Sequence, residues 1–99
     1  MVNSNKKIRW DEAARNSFRV AISFIRKDSV KNAEKVKKDL LMKINSLKDH
    51  PEKHPLDKFM KDDKGIFRAF ELHHYRVRYA ITDSYIVVIQ IPHTRMQPL

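Results

Sequence analysis

The chain has no cysteine, so neither disulfide bonds nor thiolate-bound metals can hold its fold together, and the absence suits a protein of the reducing cytoplasm. Glycine occurs once, at Gly65, just ahead of a strand-like run, where a turn would use its conformational freedom. No stretch approaches the roughly 20 apolar residues of a membrane span, and the N-terminal MVNSNKKIRW has no hydrophobic signal core. Internal repeats and low-complexity tracts are also missing. These absences predict a protein of the cytoplasm, with no membrane partner, that depends on packing alone.

What the chain does have is charge. Its 99 residues fit one domain, 1–99, with a formal charge of +9. The charge is uneven: residues 1–50 carry 13 Lys or Arg against 6 Asp or Glu, and residues 51–99 carry 8 against 6. Such a surface attracts polyanions or an acidic protein partner; simple solubility explains it equally well.

The most legible stretch is YRVRYAITDSYIVVIQIPHTR, from Tyr75 to Arg95. Tyr75, Val77, Tyr79 and Ile81 alternate with Arg76, Arg78, Ala80 and Thr82, the two-residue period of a strand with one buried face. Tyr85 to Ile91 is apolar at nearly every position, as an interior strand would be. Thr82, Asp83 and Ser84 form the turn between them, and Pro92 stops the second strand because it has no N–H to donate.

Upstream, Lys6 to Trp10 reads as a short strand with Ile8 and Trp10 on one face. Asp11 is a suitable N-cap residue, and Ala14, Phe18, Ala21, Ile22 and Ile25 then fall three or four apart in a helix ending near Lys27. Arg15, Arg19 and Arg26 lie on a neighbouring stripe, either a phosphate-tracking face or a solvated one. After Asp28 and Ser29, a second helix runs from Val30 to about Asp49 on Ala33, Val36, Leu40, Leu41, Ile44 and Leu47. The short break makes the two helices an antiparallel hairpin that needs a sheet to cover its apolar stripes. His50 and His54 sit at a metal-like spacing, but Pro51 breaks the helix on which they would converge, so no metal site is predicted. A charged connection leads to Lys64, and Ile66 to Leu72 is the next strand, with Ile66, Phe70 and Leu72 on one side and Arg68 in register among them. His73 and His74 turn it into Tyr75. The predicted fold is α+β and two-layered: an N-terminal strand and an antiparallel helical hairpin packed on one face of a largely antiparallel four-stranded sheet. Arg76 and Arg78 are expected to point from the middle of that sheet into a partly open second face.

This order of elements, with the FRAFEL and YRVRY strands, the closing IVVIQIPHTR and the helical WDEAARNSFRVAISFIRKDSVKNAEKVKKDLLMKINSLKDHP, resembles the RelE/ParE superfamily of toxins from bacterial type II toxin–antitoxin pairs, the ParE side in particular. The resemblance covers nearly the whole chain and rests on the combination rather than on one motif. It implies a growth-arresting protein neutralised by a cognate antitoxin, an acidic or amphipathic segment that wraps the sheet and helices. It also implies one of two activities: a block of DNA gyrase, as in ParE-like members, or metal-independent cleavage of messenger RNA on the ribosome, as in RelE-like ones. Neither implies a small-molecule cofactor.

Cleavage of RNA without a metal requires a base, an acid and cations facing the phosphate. On the RelE-like reading, Arg76 takes the place of the mid-sheet arginine used against the scissile phosphate. His93 then lies near the position of a catalytic His or Tyr, an imidazole being able to give or take a proton. No tyrosine follows Pro92, however, and Lys58, Lys61 and Lys64 match no catalytic lysine, so the nuclease set is incomplete. Arg68, Arg76, Arg78 and Arg95 are the expected contacts to a target or nucleic acid. Tyr75 and Tyr79 share the core face, leaving Tyr85 freer to stack on a base. A third possibility is a non-toxic basic module that uses Arg15, Arg19 and Arg26 on phosphates.

Overall fold

A computed structural model describes residues 6–58 and 65–96. Lys7–Trp10 forms β1, Glu12–Asp28 α1, Val30–Asn45 α2, Phe67–Leu72 β2, Tyr75–Ile81 β3 and Tyr85–Gln90 β4. A short 3-10 turn, Ser46–Lys48, extends α2, and another, Thr94–Met96, follows β4. The strands lie in the order β1-β4-β3-β2. β4 pairs antiparallel with β3, and β3 with β2, while β1 runs parallel to β4. The parallel pair follows from connectivity: the helical hairpin carries the chain from β1 across one face of the sheet, as a crossover between parallel strands must.

Asp11 occupies the N-cap of α1 with extended backbone but makes no capping bond through its side chain. Ser29 ends α1 and starts α2, its Oγ accepting the Asn32 N–H at 3.0 Å. Ala14 and Ala33 are fully buried, one on each helix, and their small side chains let the hairpin lie close on its neighbours. Val36, Leu40, Ile44 and Leu47 then pack with Tyr75, Val77, Tyr79, Ile86 and Val88 from the two central strands. Burying each such side chain contributes about 1.5–3 kcal/mol, which is how a hairpin too thin to shelter itself becomes stable. Leu41, expected on the same stripe, is instead 39% exposed. At the edge, Trp10 meets Phe18 edge-on at 5.4 Å and fixes β1 against α1.

The turn between β2 and β3 contains no glycine, yet His73 and His74 have φ of 54° and 68°. Two successive positive φ values are those of a type I′ hairpin, whose twist matches the flanking strands. An anchor outside the turn offsets that backbone cost: His73 Nε2 bonds Asp39 Oδ2 of α2 at 2.7 Å. This bond, and next the one from Lys35, hold the Asp39 carboxyl below its usual range. Gly65, with φ of 72°, supplies the left-handed residue that leads into β2.

Residues 51–57 fold back over the β2 edge. Asp57 N–H donates to the Phe67 carbonyl at 3.0 Å, and Ala69 N–H to the Pro55 carbonyl at 3.2 Å. Tyr79 Oη–H reaches the Pro51 carbonyl, and burial pushes its pKa up to about 12. His54 lies against Phe70 with ring centroids 4.8 Å apart. Burial, and after it the charges of Lys43 and Lys53, lower the His54 pKa below its ordinary 6.5. The folded chain therefore holds this proton less tightly than the unfolded chain does. Stability attributable to His54 is complete above pH 6.5 and is lost as pH falls through the lower folded value. Urea unfolding at pH 7.5 and at pH 5 checks this: His54→Leu should show a smaller drop between the two than wild type does, and an equal drop would contradict the assignment.

Candidate functional site

Alternation along β3 decides where its arginines go. Tyr75, Val77 and Tyr79 face the helices, so Arg76 and Arg78 point to the opposite side of the sheet. That side is not open around them, which corrects the expectation of a solvated cationic face: Arg76 is 7% exposed and Arg78 8%. Asp57, delivered by the folded-back connection, lies between them with a side chain wholly shielded from solvent. Arg76 Nη2 donates to Asp57 Oδ1 at 2.9 Å, and Arg78 Nε lies 3.2 Å from Asp57 Oδ2. Glu71, paired with Arg76 across β2 and β3, takes its Nη1 at 3.1 Å. Gln90 Oε1 accepts from Arg78 Nη1 at 3.0 Å. A register shift between Arg78 and Tyr79 makes this last bond possible by setting Arg78 opposite Gln90.

The other expected site residues are dispersed. Arg68 stands opposite Tyr79 and so belongs to the helix side, where its Nη1 donates to the His54 carbonyl at 2.8 Å and tightens the connection. His93 is joined to Tyr75 by an isolated bridge, and its ring meets that of Tyr75 edge-on at 5.1 Å. It lines a small cavity with Ile25, Val36 and Tyr75, again on the helix side. Arg76 and His93 thus occupy opposite faces of one sheet and do not converge on a common phosphate. The Arg95 N–H donates to His93 Nδ1 at 3.1 Å, and Arg95 is exposed. Lys58 is exposed, while Lys61 and Lys64 lie outside the described residues.

The sequence reading missed two features. Asp57 is the first; the second is a groove of about 820 Å³ between β1 and the helical hairpin. Ile8, Trp10, Phe18, Ile22 and Leu41 contribute its apolar lining, and Arg9, Arg15, Arg19, Arg26 and Lys37 its cations. Glu34 pairs with Arg26 at 3.0 Å, but both side chains remain about half exposed. The signal for this groove was present: the arginine stripe adjoins the apolar stripe on α1, and the two together form one amphipathic trough.

This arrangement can be set beside known proteins. The ParE toxin family, described as ParE toxin of type II toxin-antitoxin system, parDE, matches residues 8–98. The chain belongs to the ParE toxin family. A solved structure titled "Chromosomal ParDE TA system from P. aeruginosa" has the same fold, with a TM-score of 0.72 over 91% of this chain and 97% of that one. Its identity is 11%, so that likeness speaks for the fold alone. No curated protein matches the sequence. In this ParE-family chain Arg76 and Arg78 are internal, and a cluster of exposed cations lines the groove beside α1.

Removing one partner from a buried ion pair costs about 3–5 kcal/mol, whereas an exposed partner is worth about 1 or less. Denaturant unfolding should therefore show Asp57→Ala far more destabilised than Glu71→Ala, whose side chain is 49% exposed. Equal losses would mean that Asp57 does not bear the charge of both arginines.

Proposed function

We propose that this protein is the toxin of a type II pair that arrests growth by blocking DNA gyrase and does not cut RNA. The reading is supported by membership of the ParE family and, above all, by the separation of Arg76 from His93 across the sheet. A nuclease of this kind needs its proton-transfer group and its phosphate-facing cation within reach of the same phosphodiester. Here the cation is occupied by Asp57, and the histidine packs on Tyr75. Of the four arginines expected to meet a target, Arg95 is the exposed one, and we assign target contact to it.

Neutralisation falls to a cognate antitoxin, and the groove beside α1 is suited to an acidic amphipathic segment of it. Apolar side chains of such a segment would cover Trp10, Phe18 and Leu41 while its carboxylates meet Arg15 and Arg19. Charge reversal of Arg15 and Arg19 to Glu should weaken antitoxin binding and flatten its salt dependence without disturbing the fold. Unchanged affinity in titration calorimetry would place the antitoxin elsewhere.

Gyrase and messenger RNA are separated by one pair of assays on the purified toxin. Supercoiling by gyrase should be inhibited with double-strand breaks trapped on the DNA, and Arg95→Glu should raise the inhibitory concentration by about tenfold, equivalent to roughly 1.4 kcal/mol. Primer extension on messages from induced cells should show intact transcripts. Transcripts cut by wild type and spared by His93→Ala would overturn the proposal in favour of RNA cleavage.

A further inference from the structure

The two edges of the sheet differ in what lies along them. At one edge, β2 is covered by the folded-back connection, with Ala69 N–H donating to the Pro55 carbonyl and Asp57 N–H to the Phe67 carbonyl. At the other, β1 has β4 on one side only. Lys7 N–H donates to the Ser84 carbonyl at 3.2 Å and Asp11 N–H to the Val88 carbonyl at 2.9 Å, which fixes the alternation along β1. Lys7, Arg9 and Asp11 direct their N–H groups at β4, so Ile8 and Trp10 direct theirs, with their carbonyls, at the open edge. Such a row of backbone groups is a template for one more strand.

The side chains around the edge decide what it accepts. Ile8 and Trp10 face the helices, at the mouth of the groove that Phe18, Leu41, Arg15 and Arg19 also line. Lys7 and Arg9 are exposed on the opposite side, where the Arg9 guanidinium stands 5.2 Å from the centre of the Tyr85 ring. A second copy of this chain is a poor occupant. Pairing Ile8 with Ile8 or Trp10 of the copy would set Arg9 against Lys7 or Arg9, and like charges directly opposite one another destabilise a strand pair. A strand that carries carboxylates meets complementary charge on both of its faces. We propose that β1 is a docking edge for an extended acidic segment of a partner protein, which joins the four-stranded sheet through the outward groups of Ile8 and Trp10. Alternate residues of that segment enter the groove beside Trp10 and Phe18, and the intervening ones meet Lys7 and Arg9. This rests on the antitoxin reading of the groove and deepens it: the segment there is a strand with a period of two, not a helix.

Amide hydrogen exchange of the isotope-labelled full chain tests this with two short synthetic peptides of equal composition, one alternating Glu and Val and the other carrying the same residues at helical spacing. At saturation with the alternating peptide, the Ile8 and Trp10 amides should exchange at least about tenfold more slowly than in the free chain, while those of Lys7 and Arg9, already directed at β4, change little. The helically spaced peptide should bind at least about tenfold more weakly. Ile8→Pro removes an N–H that β4 does not use, and should lose the binding that Ile8→Ala keeps. Should Ile8→Pro not fold, the exchange pattern of wild type decides. The proposal is overturned if the alternating peptide does not bind at low salt, if it binds without slowing Ile8 and Trp10, if Lys7 and Arg9 slow equally, or if the helically spaced peptide binds as tightly. No antitoxin enters this experiment, so its failure leaves the antitoxin reading to be judged separately by the charge reversal of Arg15 and Arg19.

Discussion

One buried carboxylate couples the two most dissimilar parts of this molecule. Asp57 sits on an irregular connection, and the arginines that hold it sit on a central strand. Burying any one of these charges alone would be prohibitive, since desolvation of an unpaired ion exceeds what a small domain can tolerate. The three are stable only together, so the connection must lie against the sheet whenever the arginines are on it. That constraint brings Pro51 to Tyr79, His54 to Phe70 and Leu56 to the β2 edge.

The sheet consequently has two working sides of different character. Its helix side is an apolar core that ends at the β1 edge in a trough lined by Arg9, Arg15, Arg19, Arg26 and Lys37. Its other side contains charges that are spent on one another. The exposed cations of that trough adjoin hydrophobic surface, a combination suited to a protein partner.

Much of this was legible in the sequence. Period-four apolar spacing placed both helices to within a few residues, and strict alternation placed β3, because those patterns are imposed by burial on one face. The division of Tyr75 and Tyr79 from Arg76 and Arg78 followed from the same alternation. What could not be read was what covers the second face. The segment PEKHPLDK has no period, and its two prolines and mixed charges look the same whether it hangs in solvent or packs on a sheet. Only the pairing of Pro55 and Asp57 with β2, a contact between distant parts of the chain, shows that Asp57 is internal. Leu41 failed for a related reason: it keeps the helical period but faces a groove that no segment of the described chain fills.

The central claim is that both sheet arginines are fixed by Asp57 inside the fold. It is tested most directly by nitrogen-edited NMR of the arginine side chains, which resolves each Nε–H and its exchange with water. The Arg76 and Arg78 signals should be individually resolved and protected from exchange in wild type, and should lose that protection in Asp57→Ala, while the Arg95 signal is averaged with solvent throughout. Guanidinium signals of Arg76 and Arg78 that exchange as freely as that of Arg95 in the wild-type chain would contradict the account.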